Sequence, residues 1–392
     1  MGKISPKAHE RKSGGWEVIY YYSTDDITGK RKKITCYGKT KNEAEEKMEQ
    51  KLTSFLNGEY TEPSKITVGA WFTQWLEMYA RPKVKQSTYV NYRGHIDKRI
   101  IPMIGHIRLE KLKVDTLQRF LNEQYEHGNS KHPDEGLSAK TVRNIYLMIH
   151  SALKQACKNG LIPKNYAEFV SLPTVTEVEM RVLTRDEHQR LFDEIKVSKE
   201  RYKIGILICL ATGIRVGELA GLQWHDIDFN NNLLKIRRTL GRLPSMDTTK
   251  SKTEIVIGSP KSKNGVRDIP LPDFLIDYLK EYRAEREKEK SRAEETYDNQ
   301  NFVICNELGC CTEPRTLQDT FQRLIKAASI ENANYHCTRH TFATRAIEAG
   351  MDIKTLSIIL GHADVSTTLN KYAHVLTEQK RSAMDLVSKF YI

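Results

Sequence analysis

"YHCTRHTFATR", residues 335–345, is the stretch on which the reading of this 392-residue chain turns. Helical periodicity places His336 and Arg339 three apart, on one face of a helix, with a second histidine at 340. Surface helices rarely spend two histidines and two arginines on three turns. The question is what ligand needs that much imidazole and guanidinium in one place.

Three other segments of the C-terminal half raise the same question. "ATGIRVGEL" (211–219) sets Arg215 three residues before Glu218, so a continuous helix there puts both on one face. "SPKSKNGVRDIPL" (259–271) carries Lys261 and Lys263 beside Asn264-Gly265, a turn pair that predicts a hairpin tip bearing amines. "GHADVSTTLNKYAH" (361–374) places His362 ten residues before Tyr372. Singly, each has an ordinary explanation. An Arg–Glu i,i+3 pair is usually a surface salt bridge of little worth. Lysines at a turn are usually solvated, and a tyrosine is usually packed with its hydroxyl outward.

Composition narrows the partner class. The chain has net charge +12, and hydrophobic residues make up 39% of it, enough to build cores. A basic excess of that size points to polyphosphate, without excluding a merely basic enzyme. No apolar run approaches the roughly 20 residues that span a bilayer, and the N-terminus has no apolar centre, so neither membrane nor export is expected. Seven cysteines without framework spacing fit a reducing compartment and give no zinc pattern. The expected location is the cytoplasm, with the nucleoid.

The length suggests several domains. The runs "WEVIYYY" and "KKITCY", separated by "STDDITG", predict two strands around a turn. Ala44, Met48, Leu52 and Phe55 then recur at helical spacing, making residues 1–62 a small strand–strand–helix module. Its Lys30, Arg31, Lys32 and Lys33 form a run suited to phosphate, or a solvated turn. "TEPSK" (61–65) reads as a linker. Val68, Trp71, Phe72, Trp75, Leu76 and Tyr79 begin an all-helical domain over 66–172, with further helices near 87–100, 114–126 and 138–158. Lys83, Lys85, Arg93, Lys140 and Arg143 could line a nucleic-acid groove there. A second linker spans 171–184. The remainder, 181–392, mixes helices (184–196, 201–220, 272–296, 314–328, 336–349, 353–360) with strands (226–239, 253–258, 265–270). "KEYRAEREKEKSRAEE" reads as a solvated helix.

Taken together and in order, "TGIRVGEL", Lys263, "HCTRHTFAT" and "LGHADVSTTLNKY" resemble the tyrosine recombinases, the integrases of phages and conjugative transposons. The motifs cover roughly 184–375, and the three-part layout extends the likeness to the whole chain. The resemblance implies a multidomain fold, mainly α with small β-sheets: a ββ(β)α arm-binding module, a helical core-binding domain and a mixed α+β catalytic domain. It implies that Arg215 and Arg339 hold the scissile phosphate and that His336 accepts or donates a proton. It further implies that Lys263 protonates the leaving 5′ oxygen, with Lys261 as competitor, that His362 contacts the phosphate, and that Tyr372 attacks it. Glu218 would orient Arg215. Thr338 stands where the family usually has an inward-packing leucine.

The implied activity is site-specific recombination for a mobile element, through a 3′-phosphotyrosine and a Holliday junction, with no metal, ATP or other cofactor. Implied partners are duplex DNA at core and arm-type sites, three further copies in a tetramer, an excision factor and a host DNA-bending protein. The tail 374–392 offers Leu376, Met384, Leu386, Val387 and Phe390 for docking on a neighbouring copy or on its own domain. Competing readings are a tyrosine-type topoisomerase, a catalytically idle DNA-binding regulator, and a two-metal nuclease built on Asp226 and Asp228.

Overall fold

A computed structural model describes residues 6–24, 29, 31–56, 65–130, 132, 134–176, 180–245, 252–260, 262–372, 384, 388 and 391. The chain divides into two compact units, 1–177 and 178–392.

The first unit opens with an antiparallel sheet of β1 (Ala8–Glu10), β2 (Trp16–Thr24) and β3 (Arg31–Gly38), in that order. The period-2 pattern of the two predicted strands is seen directly: Val18 pairs with Cys36 and Tyr20 with Ile34. Val18, Ile34 and Cys36 are buried under Ala44 and Met48 of α1 (Lys41–Leu56). The third strand, β1, is too short to carry a periodic signal. It adds to the edge through Ala8↔Val18 and Glu10↔Trp16.

The helical part holds α2 (Val68–Trp75), α3 (Gln86–His95), α4 (Ile101–Ile104), α5 (Val114–His127) and α6 (Ala139–Lys158). Thr67 caps α2 by accepting from the Ala70 N–H, and Ser138 caps α6 by accepting from Thr141 N–H. Between α3 and α4 the chain widens into a π-turn, Ile96–Ile100, so the predicted 87–100 helix runs on to 104. Pro102 follows, and the wider turn accommodates a residue that has no N–H to give. Trp71, Phe72, Ile96, Ile100, Leu109, Phe120, Ile145 and Leu153 form the core, and the Trp71 indole N–H finds the Ala152 carbonyl at 3.1 Å.

The second unit is built around α8 (Lys203–Thr212), which is buried over nearly its whole length. Around it lie α7 (Arg185–Val197), α10 (Asp273–Ala293), α11 (Pro314–Ala327) and α12 (Cys337–Glu348). Short α9 (Val216–Ala220) follows α8, and α13 (Ile353–Leu360) and α14 (Val365–Lys371) follow α12. One sheet has the order β4 (Ile227–Asp228), β5 (Leu233–Ile236), β8 (Arg267–Pro270); another pairs β6 (Thr239–Pro244) with β7 (Thr253–Gly258).

Three expectations need correction. The helix predicted over 201–220 is broken at Gly213, which adopts φ +66°. Arg215 therefore stands in extended backbone just before α9 rather than inside a helix. The strand predicted over 226–239 is three pieces, because the Asp228 carboxylate accepts from Asn230 and Asn231 N–H and turns the chain. Asn264-Gly265 is not a hairpin tip: β7 and β8 belong to different sheets, and Lys263–Gly265 is one turn of 3₁₀ helix between them.

Candidate active site

Gly213 starts the site. A Cβ there would lie 2.5 Å from Phe342 and 2.9 Å from Leu360, and the positive φ also favours glycine. The tight turn aims the Gly213 carbonyl at Arg339, whose guanidinium donates to it at 2.7 Å. Arg215 follows and is held twice by Glu218: one carboxylate oxygen accepts the Arg215 backbone N–H at 3.0 Å, the other its guanidinium at 2.8 Å. The Arg215 side chain is 40% exposed while Glu218 is 3% exposed, so the pair presents its cation and hides its anion.

Arg339, on α12, is 3% exposed. Besides Gly213 it donates to the Leu360 carbonyl at 2.6 Å and to His362 Nε2 at 3.0 Å. Leu360 is free to accept because α13 ends there, at Gly361 with φ +65°. His362 lies in the turn between α13 and α14, and its Nδ1 is 2.7 Å from the Thr368 hydroxyl. With Nε2 accepting from arginine, Nδ1 carries the proton and the ring is neutral. Burial first, then the charges of Arg339, Lys371, Arg215 and Arg267, hold His362 down at about 4.

Tyr372 caps the C-terminal end of α14 and is 1% exposed. Its hydroxyl is 2.9 Å from His340 Nδ1. Burial pushes the phenol up to about 12, against a smaller opposing pull from Arg339. Burial also drives His340 down to about 3, helped by His336, Lys371, Arg339 and His362. His336 caps α12, its ring 4.8 Å from that of His340 in an edge-to-face contact. Its pKa is lowered by burial and then by Arg339. Arg339 itself is brought down to about 9 by burial and by Arg215, and remains a cation at neutral pH.

Lys263 begins the one-turn 3₁₀ segment, and Asn264 beside it donates to the carbonyls of His362 and Ala363 at 3.2 and 3.3 Å. That contact brings the lysine turn against the His362 segment. Lys261 lies outside the described residues. Thr338 is buried and its hydroxyl donates to the Tyr335 carbonyl at 2.8 Å, which satisfies the polar group at a position suited to leucine. Asp226 and Asp228 are engaged elsewhere. Asp226 accepts from Arg238 and from Gln223 N–H, and among the described residues no group of acids, histidines and cysteines could hold a metal.

Sequence reasoning missed four participants. His340 is in the opening stretch, one helical turn after His336, and that spacing was the available signal. Arg267 shares a strand face with buried Ile269, an unusual place for an arginine. Asn264 and Thr368 gave no signal, since each acts through a tertiary contact.

The expected DNA-contact residues vary. Arg31 and Lys33 are exposed on the outward face of β3, with the Arg31 guanidinium 5.9 Å from the exposed Tyr21 ring; Lys32 is half-buried and Lys30 lies outside the described residues. Lys83, Lys85, Lys140 and Arg143 are exposed. Arg93 is partly exposed, and its guanidinium is held by Glu77 and by the Tyr89 hydroxyl. Of the tail, Met384 is exposed; Leu376, Leu386, Val387 and Phe390 lie outside the described residues.

The described geometry is therefore a cluster of cations around one buried carboxylate, beside a tyrosine held by a histidine. Comparison with known proteins matches the Phage integrase family over residues 181–379, the phage integrase N-terminal SAM-like domain over 67–124, and the Arm DNA-binding domain over 9–54. A tyrosine recombinase XerC-like protein of Caldanaerobacter subterraneus subsp. tengcongensis is 31% identical, the match covering 94% of each chain. The transposase from transposon Tn916 of Enterococcus faecalis is 26% identical over 79% of this chain and 75% of its own. Among solved structures, the Tn1549 transposon integrase in complex with a circular intermediate DNA superposes with a TM-score of 0.67. That match is 23% identical and covers 82% of this chain and all of the other. With its C-terminal half matched throughout and a relative of 31% identity along nearly its full length, the chain belongs to the phage integrase family, the tyrosine recombinases.

Proposed function

We propose that this enzyme recombines DNA for a mobile element, cutting each strand with Tyr372 to leave a 3′-phosphotyrosine and rejoining it through a Holliday junction. The observation that carries this is a charge surplus. Arg215 and Arg267 bind one carboxylate, Glu218, and Arg339 lies within electrostatic reach of it, with His336, His340 and His362 neutral around them. Such a site is incomplete without an anion, and planar guanidiniums suit the two non-bridging oxygens of a phosphodiester.

In this mechanism Arg215 and Arg339 grip the phosphate and stabilise charge as it gathers at phosphorus. The Tyr372 oxygen bonds to phosphorus, the bond to the 5′ oxygen breaks, and the Lys263 ammonium supplies the proton that oxygen needs. His362 adds a hydrogen bond to the phosphate, and the neutral His336 takes up the phenol proton as the Tyr372 oxygen bonds to phosphorus. At a pKa of about 12 the phenol is almost wholly protonated at pH 7. An incoming phosphate must therefore rearrange the His340 contact and bring the guanidiniums to bear. The covalent bond conserves the phosphodiester energy, so a free 5′ hydroxyl reverses the step.

The same reading assigns residues 1–62 to arm-type sites, 66–172 to core sites and 181–392 to catalysis. Four copies would act together on DNA with an excision factor and a host bending protein, in the cytoplasm on the nucleoid. Support comes from the exposed Arg31, Lys33, Lys83, Lys85, Lys140 and Arg143 and from the net charge of +12. The test is covalent trapping. A core duplex is recovered by selecting a randomised pool on the Tyr372→Phe protein, then nicked beside the scissile phosphate and incubated with wild type. A 3′-linked nucleotide on Tyr372, read by mass spectrometry, is expected. A nucleotide on another residue, or relaxation of a two-site plasmid without strand exchange, would overturn the proposal.

A further inference from the structure

Arg267 is a buried cation that the reaction scheme leaves without a task. It opens β8 with its side chain 4% exposed, both terminal nitrogens bound to Glu218. Its guanidinium binds in three directions. The two terminal nitrogens donate to both Glu218 oxygens at 3.0 and 3.3 Å, one of them also to the Gly265 carbonyl at 2.9 Å, and Nε donates to the Ile359 carbonyl. One side chain thus joins the cap of α9, the turn that starts at Lys263, and the last turn of α13 ahead of His362.

The packing around it leaves little slack. A Cβ on Gly361 would come within 3.0 Å of the Arg267 guanidinium and 2.9 Å of the Asn264 carbonyl; one on Gly265 would meet Pro260 at 2.4 Å. Asn264 fixes the other side of the turn through its bonds to the His362 and Ala363 carbonyls. The Lys263 turn is a single 3₁₀ turn of three residues, and its place is set mainly by these contacts. Lysine could not substitute at 267, because an ammonium on a flexible stem cannot serve two carboxylate oxygens and two carbonyls that lie in different directions.

We infer that Arg267 is a positioning residue for proton delivery: it fixes the Lys263 turn relative to the phosphate-gripping arginines, so that the ammonium reaches the leaving 5′ oxygen. This rests on the role proposed above for Lys263. The test compares two forms of the nicked core duplex, one with the bridging 5′ oxygen and one with sulfur in its place. A departing thiolate needs no proton, whereas a departing alkoxide does.

Cleavage rates are measured for full-length wild type, Lys263→Ala, Arg267→Lys and Arg267→Gln. Both Arg267 variants are expected to cleave the oxygen substrate about a hundredfold more slowly, the size of effect typical of losing a general acid. On the sulfur substrate they should recover at least about tenfold relative to wild type, in parallel with Lys263→Ala. Because each sulfur-to-oxygen ratio comes from one preparation, partial misfolding cancels. Equal losses on both substrates would mean Arg267 only supports the fold or Arg215, and would overturn the inference; so would wild-type rates in Arg267→Lys. If Lys263→Ala itself shows no recovery with sulfur, the acid assignment fails and the inference fails with it. If Lys263→Ala recovers and the Arg267 variants do not, only the inference fails.

Discussion

Glu218 lies between Arg215 and Arg267, and Glu289 lies between Arg201 and Arg286, an Arg–Glu–Arg arrangement that recurs in the C-terminal unit at Glu348, between Arg185 and Arg345. At Glu289 the charges close on themselves. Arg201 binds both carboxylate oxygens at 2.9 and 2.6 Å, Arg286 adds a bond at 2.7 Å, and Glu285 stands 3.7 Å from Arg286. Two cations meet two anions, and the grouping staples α10 to the Cys305 carbonyl through Arg201. At Glu218 a third guanidinium, Arg339, lies close enough to feel Arg215, and among the described residues no second carboxylate is bonded to these arginines. An arginine-flanked glutamate is therefore not a mark of function. What distinguishes the site is a third guanidinium, Arg339, beside a carboxylate that is itself buried.

Four substitutions and one change of condition test that contrast. The largest effect is expected from Tyr372→Phe, which should abolish the covalent adduct in gel assays while DNA affinity stays near wild type; an undiminished adduct refutes the nucleophile. Arg339→Ala should slow adduct formation about 10²- to 10³-fold, as the loss of a preorganised donor does. A wild-type rate would count against phosphate gripping. Next, the two glutamates should part company. Glu218→Gln strands the buried Arg267 guanidinium and releases Arg215, and should cost about 3 kcal/mol in urea unfolding as well as activity. Glu289→Gln, at a partly solvated pair, should cost about 1 kcal/mol and leave adduct rate per folded molecule unchanged. Equal losses of activity in both would erase the distinction.

The smallest effect concerns pH. His340 and His362 sit at about 3 and about 4 in the folded chain, below the ordinary imidazole value of 6.5. The unfolded chain then takes up protons first on acidification. The stability from these neutral rings is full above about 6.5 and is lost as pH falls toward 4, by roughly 1–2 kcal/mol after allowing for partial solvation. Glu218, held below its usual range because Arg267 and Arg215 outweigh its burial, adds loss in the same direction at the acid end. Thermal midpoints from pH 4 to 7 check this, and a flat profile would contradict it.

Much of this was legible in the chain. The amphipathic patterns of α2 and α6 and the alternation in β2 and β3 are local, and local burial follows local spacing. Arg215, Arg339, His362 and Tyr372 could be found because their motifs are short and ordered. The sequence did not show that Arg215 precedes its helix, because a glycine inside an apolar helical run is a weak break signal until Phe342 and Leu360 close on it. Nor could it show Arg286 packed inside a stretch that looks solvated throughout, since Arg201 and Glu289, which make that burial tolerable, are 88 residues apart. Arg267 and Asn264 were invisible for the same reason: their partners lie 49 to 99 residues away.

Gly361 carries one last consequence. With φ +65° and both the Asn264 carbonyl and the Arg267 guanidinium pressed against its α-carbon, it works as a spacer of zero thickness. Adding even a methyl would act as a wedge, prising the Lys263 turn from the segment that carries His362. A catalyst assembled from charged groups thus depends, at its narrowest joint, on a residue with no side chain.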